Sequence, residues 1–552
     1  MVFKPLNINN KRMNLKRSIT AVALNTCFLL LIVLNFSCAD SNKKSGEDTS
    51  YQKHLFKKTL ETSQLAVSVV ATDLDYPWDL CWGGEDSNIL WFTEIKGTVN
   101  QLNTDTGEIK NLLKLDDVLV KKSYGLLGFA VHPDMEKHPY IFLHYTYSKN
   151  DEIRSKLVRY TYKDEKLETP KILLEDIPGR SYHNGSRIVI SPDDKIFLCL
   201  GDAGKKRLAQ NTSVISGKIL RLNLDGSIPI DNPIKGSPVY SRGHRNVQGL
   251  VMANNILYSS EHGEANDDEL NIIKANGNYG WPDVTGFCNE PYELAYCKDS
   301  IIVEPIKEWT PTIAPSGIAY FGSSKIPEWT NSILVGSLKG TSLRVLKLSS
   351  DGTKVEGESV AFNRQFGRIR DVIVAPNGDI YLCTSNKDWH PKANPEFYSD
   401  AKLPMIDDDR IIRIRQASDD LKNSLIEMTE KQTPVDNDGM ANGIAGAGMA
   451  VYQKFCASCH KADGSGSDGF FPPLSKTEGV GDKERFMKSV IEGVSGPLVV
   501  QGKTYNQDMP SFKFLTDKEL ADVLSYVRAS FGNGHPSITE DEVVKYKELL
   551  QN

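Results

Sequence analysis

Positive charge is not in excess over this sequence as a whole. Its 65 lysines and arginines are outnumbered by 71 aspartates and glutamates, the formal net charge is −6, and no Lys/Arg-rich block interrupts the balance. That excludes a nucleic-acid polyanion as the partner such a surface serves. Zinc ligands are missing as well: after Cys456 and Cys459 no further cysteine follows, and after His460 no histidine comes before His535. A tetrahedral zinc site needs two more ligands nearby, so the pair is not half of one. Gly464, Gly466 and Gly469 spell G-x-G-x-x-G, but no strand precedes them and no helix opens on them, which excludes a dinucleotide fingerprint.

What is present at that place is Cys456-Ala457-Ser458-Cys459-His460. Two thiols three positions apart with a histidine directly after the second let one short loop bond both vinyl groups of a haem and set an imidazole under its iron. Ile444, Ala447, Val451, Tyr452 and Phe455 recur at helical spacing upstream, and Phe470-Phe471-Pro472-Pro473-Leu474 offers a stiff apolar wall downstream. Met509-Pro510 supplies a thioether as sixth ligand to the iron held by His460. The spacing predicts a last helix from Thr516, capped with Glu519, burying Leu520, Val523, Leu524, Val527 and Phe531. Residues 440–533 thus resemble a small class I cytochrome c domain, all-α, with one covalent haem c and no open iron position.

Such a domain accounts for under a fifth of 552 residues, so something large lies upstream. At the N-terminus Lys11, Arg12, Lys16 and Arg17 precede an apolar run from Ala21 to Phe36, a signal-peptide pattern over residues 1–38. The run ends at Cys38, which resembles the acylated cysteine of a bacterial lipoprotein, with residues 39–64 as a polar tether; an uncleaved membrane anchor is the rival. Either way the expectation is an exported protein of the periplasm or cell envelope. Cys288 and Cys297 sit in a Gly/Pro-bounded loop where an oxidising compartment permits a disulfide, whereas Cys81, Cys199 and Cys383 read as small buried hydrophobes.

From 65 to 416 the chain repeats one phrase, an apolar strand, a polar turn and a second strand. Ile89–Phe92 is followed by Val99–Leu102, Ile196–Leu200 by Ile219–Leu222, Ile333–Val335 by Leu343–Leu346, and the phrase occurs six times. A six-bladed β-propeller satisfies that repetition; a β-sandwich, the blander alternative, does not explain it. Propellers carry function on the loops around their channel, and four polar clusters fall there: Tyr182–Gly185, Gly243–Leu250, Glu261–Glu269 and Arg368–Asp371.

With phrases such as Gly125-Leu126-Leu127-Gly128-Phe129-Ala130-Val131-His132-Pro133, Gly243-His244-Arg245-Asn246 and Asn278-Tyr279-Gly280-Trp281-Pro282, residues from about 70 to 416 resemble the soluble glucose dehydrogenase family. Its members are propeller enzymes that use pyrroloquinoline quinone (PQQ). The resemblance implies His183 as general base and Arg245 as a cation offsetting charge on the quinone, with Asn246, Lys339, Arg368, Arg370 and His262 in the cofactor site. It implies that the backbone carbonyls of Gly263 and Glu264 hold a calcium ion. Tyr182 stands where the family has an aspartate, Ser123 and His262 where it has glutamines, and Glu264 where it has a proline, so a related sugar, aldose or hydroxy-aldehyde is expected instead of glucose itself. Residues 417–439 read as a linker and 534–552 as a tail. The whole implies PQQ-dependent sugar oxidation with electrons leaving by the haem to an external cytochrome, copper protein or oxidase; the rival is a sugar- or protein-binding propeller joined to a separate electron shuttle.

Overall fold

The computed structural model describes residues 55–84, 87–121, 123–388, 409–419, 426–427 and 444–550. The leader, Cys38, most of the tether and most of the linker lie outside these residues.

Each strand pair of the repeated phrase forms the two middle strands of an antiparallel sheet, because those segments bury both faces between neighbouring sheets and so are the most continuously apolar. The innermost strands are Pro77–Trp82, Leu126–Val131, Ile188–Ile190, Val247–Ala253, Pro315–Phe321 and Ile369–Val374. Each packs against the next and the last against the first, closing a six-bladed propeller. The sixth blade takes its fourth strand from the other end of the chain: Gln64–Leu74 pairs antiparallel with Asp409–Gln416, Leu65 opposite Gln416 and Val69 opposite Ile412. Joining the two ends of the domain in one sheet removes the free edges at which the ring could open.

Between blades lie apolar layers such as Leu65, Phe321, Leu334, Phe362, Leu382 and Ile412, all excluded from solvent. Residues 55–59, expected in the tether, differ: they form a strand against Gln64–Leu74, and Phe56 packs on this layer. Ile426–Glu427, expected in the linker, pair with Phe56–Lys57 beside it. Apolar side chains within polar surroundings explain both departures. Cys288 and Cys297 are joined in a disulfide that ties the loop before the helix Pro291–Asp299 to that helix.

The C-terminal domain is helical. Helix Ile444–Phe455 crosses helix Asp517–Ala529 at Gly448, where an added Cβ would lie 2.1 Å from the Asp522 carbonyl oxygen. Only glycine permits that approach. The second helix starts at the expected cap, Glu519 N donating to Thr516 Oγ1 at 3.2 Å and Thr516 N to Glu519 Oε2 at 3.0 Å. Its buried face meets Tyr452, Phe486, Ile491 and Phe512. The tail beyond Asn533 folds back: helix Glu540–Leu549 is capped by Thr539 and buries Val543 in the same core.

Candidate active site

All six inner strands point their N-terminal ends at one cavity of about 840 Å³. Its floor is built by loops that precede inner strands (Tyr182–Gly185, Thr312, Arg368) and loops between middle strands (Asp202, His262–Ala265, Leu338–Thr341). Its roof is the cytochrome domain, with Cys456, Cys459, His460 and Met509 among the lining. The propeller mouth and the haem crevice are therefore one space. Tyr182 OH lies 3.3 Å from Asp508 Oδ2 across the junction, and Ala265 of the propeller joins the cytochrome's apolar core.

His183 sits in the left-handed region at φ 56°, held against the next loop at Gly201, where a Cβ would come within 2.1 Å of the His183 carbonyl oxygen. Its Nδ1 is 2.9 Å from Oδ1 of Asp202, a carboxylate fully excluded from solvent. Gly204 N donates to the same oxygen at 2.7 Å and Trp281 Nε1 to the other at 2.9 Å. Burial, and then the charge of Arg245, lower the His183 pKa below its ordinary value. Burial raises Asp202, but the imidazole, Arg245 and the Gly204 N–H outweigh it and hold the carboxyl below the usual range. An ionised Asp202 accepting from Nδ1–H fixes the neutral tautomer, with Nε2 as the basic atom. Asp202 escaped sequence reasoning; its one signal was a Gly-Asp-Ala-Gly turn directly after the strand Lys195–Leu200.

Cations surround this dyad. Arg245 donates to the His262 carbonyl at 3.2 Å and stacks over Trp281, Lys339 Nζ donates to Thr312 Oγ1 at 2.9 Å, and Arg370 donates to Gln248 Oε1 at 3.1 Å and Tyr76 OH at 2.9 Å. Buried Asp388 serves two of them unequally: it meets Arg368 Nη2 at 2.6 Å and offsets its charge, and lies 3.9 Å from Arg370 Nη2. Burial lowers the pKa of Lys339. Asn246 Oδ1 accepts from Gly185 N at 3.2 Å, and His262 Nε2 lies 2.9 Å from the Pro315 carbonyl. Gly263 N is anchored to Asp268 Oδ1 at 2.8 Å, and the Glu264 carboxylate is engaged by Lys206 Nζ at 2.6 Å. Ser123, also lining the cavity, donates to the Ser181 carbonyl at 2.6 Å.

Two orphaned donors test the fit of an anionic cofactor. Arg245 Nε and Arg370 Nε are buried and take no hydrogen bond among the described residues. Such donors are costly unless an acceptor meets them, and a multi-carboxylate quinone brings several. On the roof, His460 Nδ1 lies 2.9 Å from the Pro472 carbonyl, which leaves Nε2 for a metal, and Cys456 and Cys459, neither of them in a disulfide, line the same space as Phe471–Leu474. Both groups fit the residues present.

The description "Glucose / Sorbosone dehydrogenase" matches residues 74–390, more than half of the chain, and "Cytochrome c" matches residues 445–530. The chain belongs to the glucose/sorbosone dehydrogenase family. Among other members, quinoprotein glucose dehydrogenase B of Acinetobacter calcoaceticus is 32% identical over 57% of this chain and 84% of its own length. An aldose sugar dehydrogenase of Escherichia coli is 30% identical over 58% of this chain and 89% of its own length. The solved PQQ-bound aldose sugar dehydrogenase of Streptomyces coelicolor superposes with a TM-score of 0.54 at 30% identity, covering 64% of this chain and 98% of its own. Cytochrome c-552 of Thermus thermophilus is 33% identical over 18% of this chain and 83% of its own length. This family member thus carries a cytochrome c domain behind its propeller.

Proposed function

We propose that the chain is a quinohaemoprotein oxidoreductase that oxidises a sugar, aldose or related hydroxy-aldehyde in the propeller mouth. The observation that carries this reading is the shared cavity, with His183 on its floor and the Cys-x-x-Cys-His loop on its roof. When bound, PQQ supplies a two-electron hydride acceptor and haem c a one-electron carrier. His183 Nε2 takes the proton of the substrate hydroxyl, and Asp202 holds the tautomer and steadies the imidazolium that results. Arg245, Lys339 and Arg370 bind carboxylates and offset negative charge, Asn246 and His262 border the same ligand, and Arg368 contributes hydrogen-bond donors more than net charge. The carbonyls of Gly263 and Glu264 would hold calcium, with Asp268 and Lys206 engaging the neighbouring amide and carboxylate. Cys456 and Cys459 would anchor the haem, and His460 and Met509 would supply the ligands to its iron.

By the same reading residues 1–38 export the chain and Cys38 tethers it to a membrane, so the electrons pass to a partner in the periplasm or envelope. The test adds aldoses to protein loaded with PQQ and calcium and follows haem reduction by absorbance. Reduction is expected with wild type, and His183→Ala should lower its rate by roughly 10²- to 10⁴-fold with PQQ still bound. An undiminished rate in that variant removes the base. If no sugar or aldehyde reduces the haem and PQQ does not bind, the binding-propeller alternative takes its place.

A further inference from the structure

At the end of the propeller away from the cavity, two histidines and an aspartate from adjacent blades converge. His132 follows the second blade's inner strand Leu126–Val131 directly, and His138 lies in the loop to that blade's next strand. Asp194 sits in the tight turn between Ile188–Ile190 and Lys195–Leu200 of the third blade. Leu127, at the start of the first of these strands, lines the active cavity, and five residues of strand place His132 roughly 16 Å from it.

One ligand atom from each residue falls within 4.8 Å of the other two. His132 Nε2 is 3.3 Å from Asp194 Oδ1, and His138 Nε2 is 3.7 Å from Asp194 Oδ2. Ligands about 2.0–2.1 Å from a tetrahedral zinc ion stand about 3.3 Å apart, so the first pair is at that spacing and the second is close to it. His132 is almost wholly buried, yet its Nε2 takes no hydrogen bond among the described residues. Its Nδ1 accepts from the Asp134 N–H at 3.1 Å in one tautomer and lies 3.2 Å from the Asp134 carbonyl, to which it donates in the other. Donation from Nδ1–H to that carbonyl would leave Nε2 as a lone-pair donor aimed at the cluster, the arrangement that metal-binding histidines favour. His138 is steadied by stacking on Tyr140, at 5.7 Å between ring centres.

We propose that His132, His138 and Asp194 bind a zinc ion that braces the second blade to the third. Two imidazoles and one carboxylate suit a borderline divalent metal, whereas calcium and magnesium prefer all-oxygen shells. Three protein ligands leave a fourth position to water.

The test titrates Zn²⁺ into untagged, haem-loaded full-length protein in calcium-containing buffer at neutral pH and follows the heat of binding and the melting temperature. One equivalent should bind and raise the melting temperature. His138→Ala and Asp194→Asn, both at partly exposed positions, should each weaken binding by more than about tenfold and leave sugar-driven haem reduction unchanged. His132 is left intact because its burial makes any replacement a folding risk. No Zn²⁺ binding to wild type, equal binding by both variants, or Mg²⁺ binding as tightly at the same residues would each overturn the proposal.

Discussion

Two arginines from opposite blades, the third and the sixth, show how the propeller treats buried charge. On the axis, Arg187 uses every donor group: Nη1 meets Asp371 at 3.0 Å and Asp79, Nε the Gln248 carbonyl at 2.8 Å, and Nη2 the carbonyls of Trp78 and Arg370 at 3.3 and 3.1 Å. At the mouth, Arg370 is equally buried and has the Asp388 carboxylate only at 3.9 Å from Nη2, and it leaves Nε unmatched. The first is closed within the protein and the second is open to a ligand. Burial drives the carboxyls of Asp79 and Asp371 upward, and Arg187 is what opposes it. The closed network also positions the open one, since Arg187 holds the backbone of Arg370 and of Gln248, whose Oε1 then receives Arg370.

The largest effect should come from breaking the closed side. Arg187→Met leaves two carboxyls without their cation and should cost about 3–5 kcal/mol in the propeller's denaturant transition; a loss under about 1 kcal/mol would mean the network is not what holds the axis. Next comes the dyad. Asp202→Asn should slow haem reduction by roughly 10²-fold, because the tautomer is no longer fixed. Its pH profile sharpens the point. The active base is neutral and its pKa is depressed, so turnover should fall only as pH drops through a value below the ordinary 6.5; removing the Asp202 charge, which raises that pKa, should move the limb lower still. The smallest effect belongs to the open side: Arg370→Met should weaken PQQ binding by roughly tenfold, with less change in folding than Arg187→Met. Equal destabilisation by the two variants would erase the distinction.

The same contrast governs what could be read in advance. Segments such as Ile196–Leu200 and Ile219–Leu222 were legible as strands because their apolar runs are continuous. The inner strand Ile188–Ile190 was not, because it is three residues long and the residues leading into it are polar: Arg187 on the axis and Ser186, whose hydroxyl lies 2.8 Å from Nδ1 of the fully buried His144. Burial holds that imidazole's pKa down to about 3, so it stays neutral. The haem loop was legible for the opposite reason, since its chemistry needs five consecutive residues. His183 was reachable through resemblance, but Asp202, nineteen positions away, becomes its partner only through the hairpin of two strands between them.

The order of residues alone determined the Cys-x-x-Cys-His loop and the six-fold strand repetition, because each is carried by neighbours along the chain or by a period in it. Tertiary structure decided the rest: which arginine Asp388 meets most closely, which carboxylate orients His183, and that the cytochrome seats over the mouth with Asp508 meeting Tyr182. These depend on contacts between residues up to 326 positions apart, which form only when the ring of blades has closed and burial has set the cost of every unpaired charge.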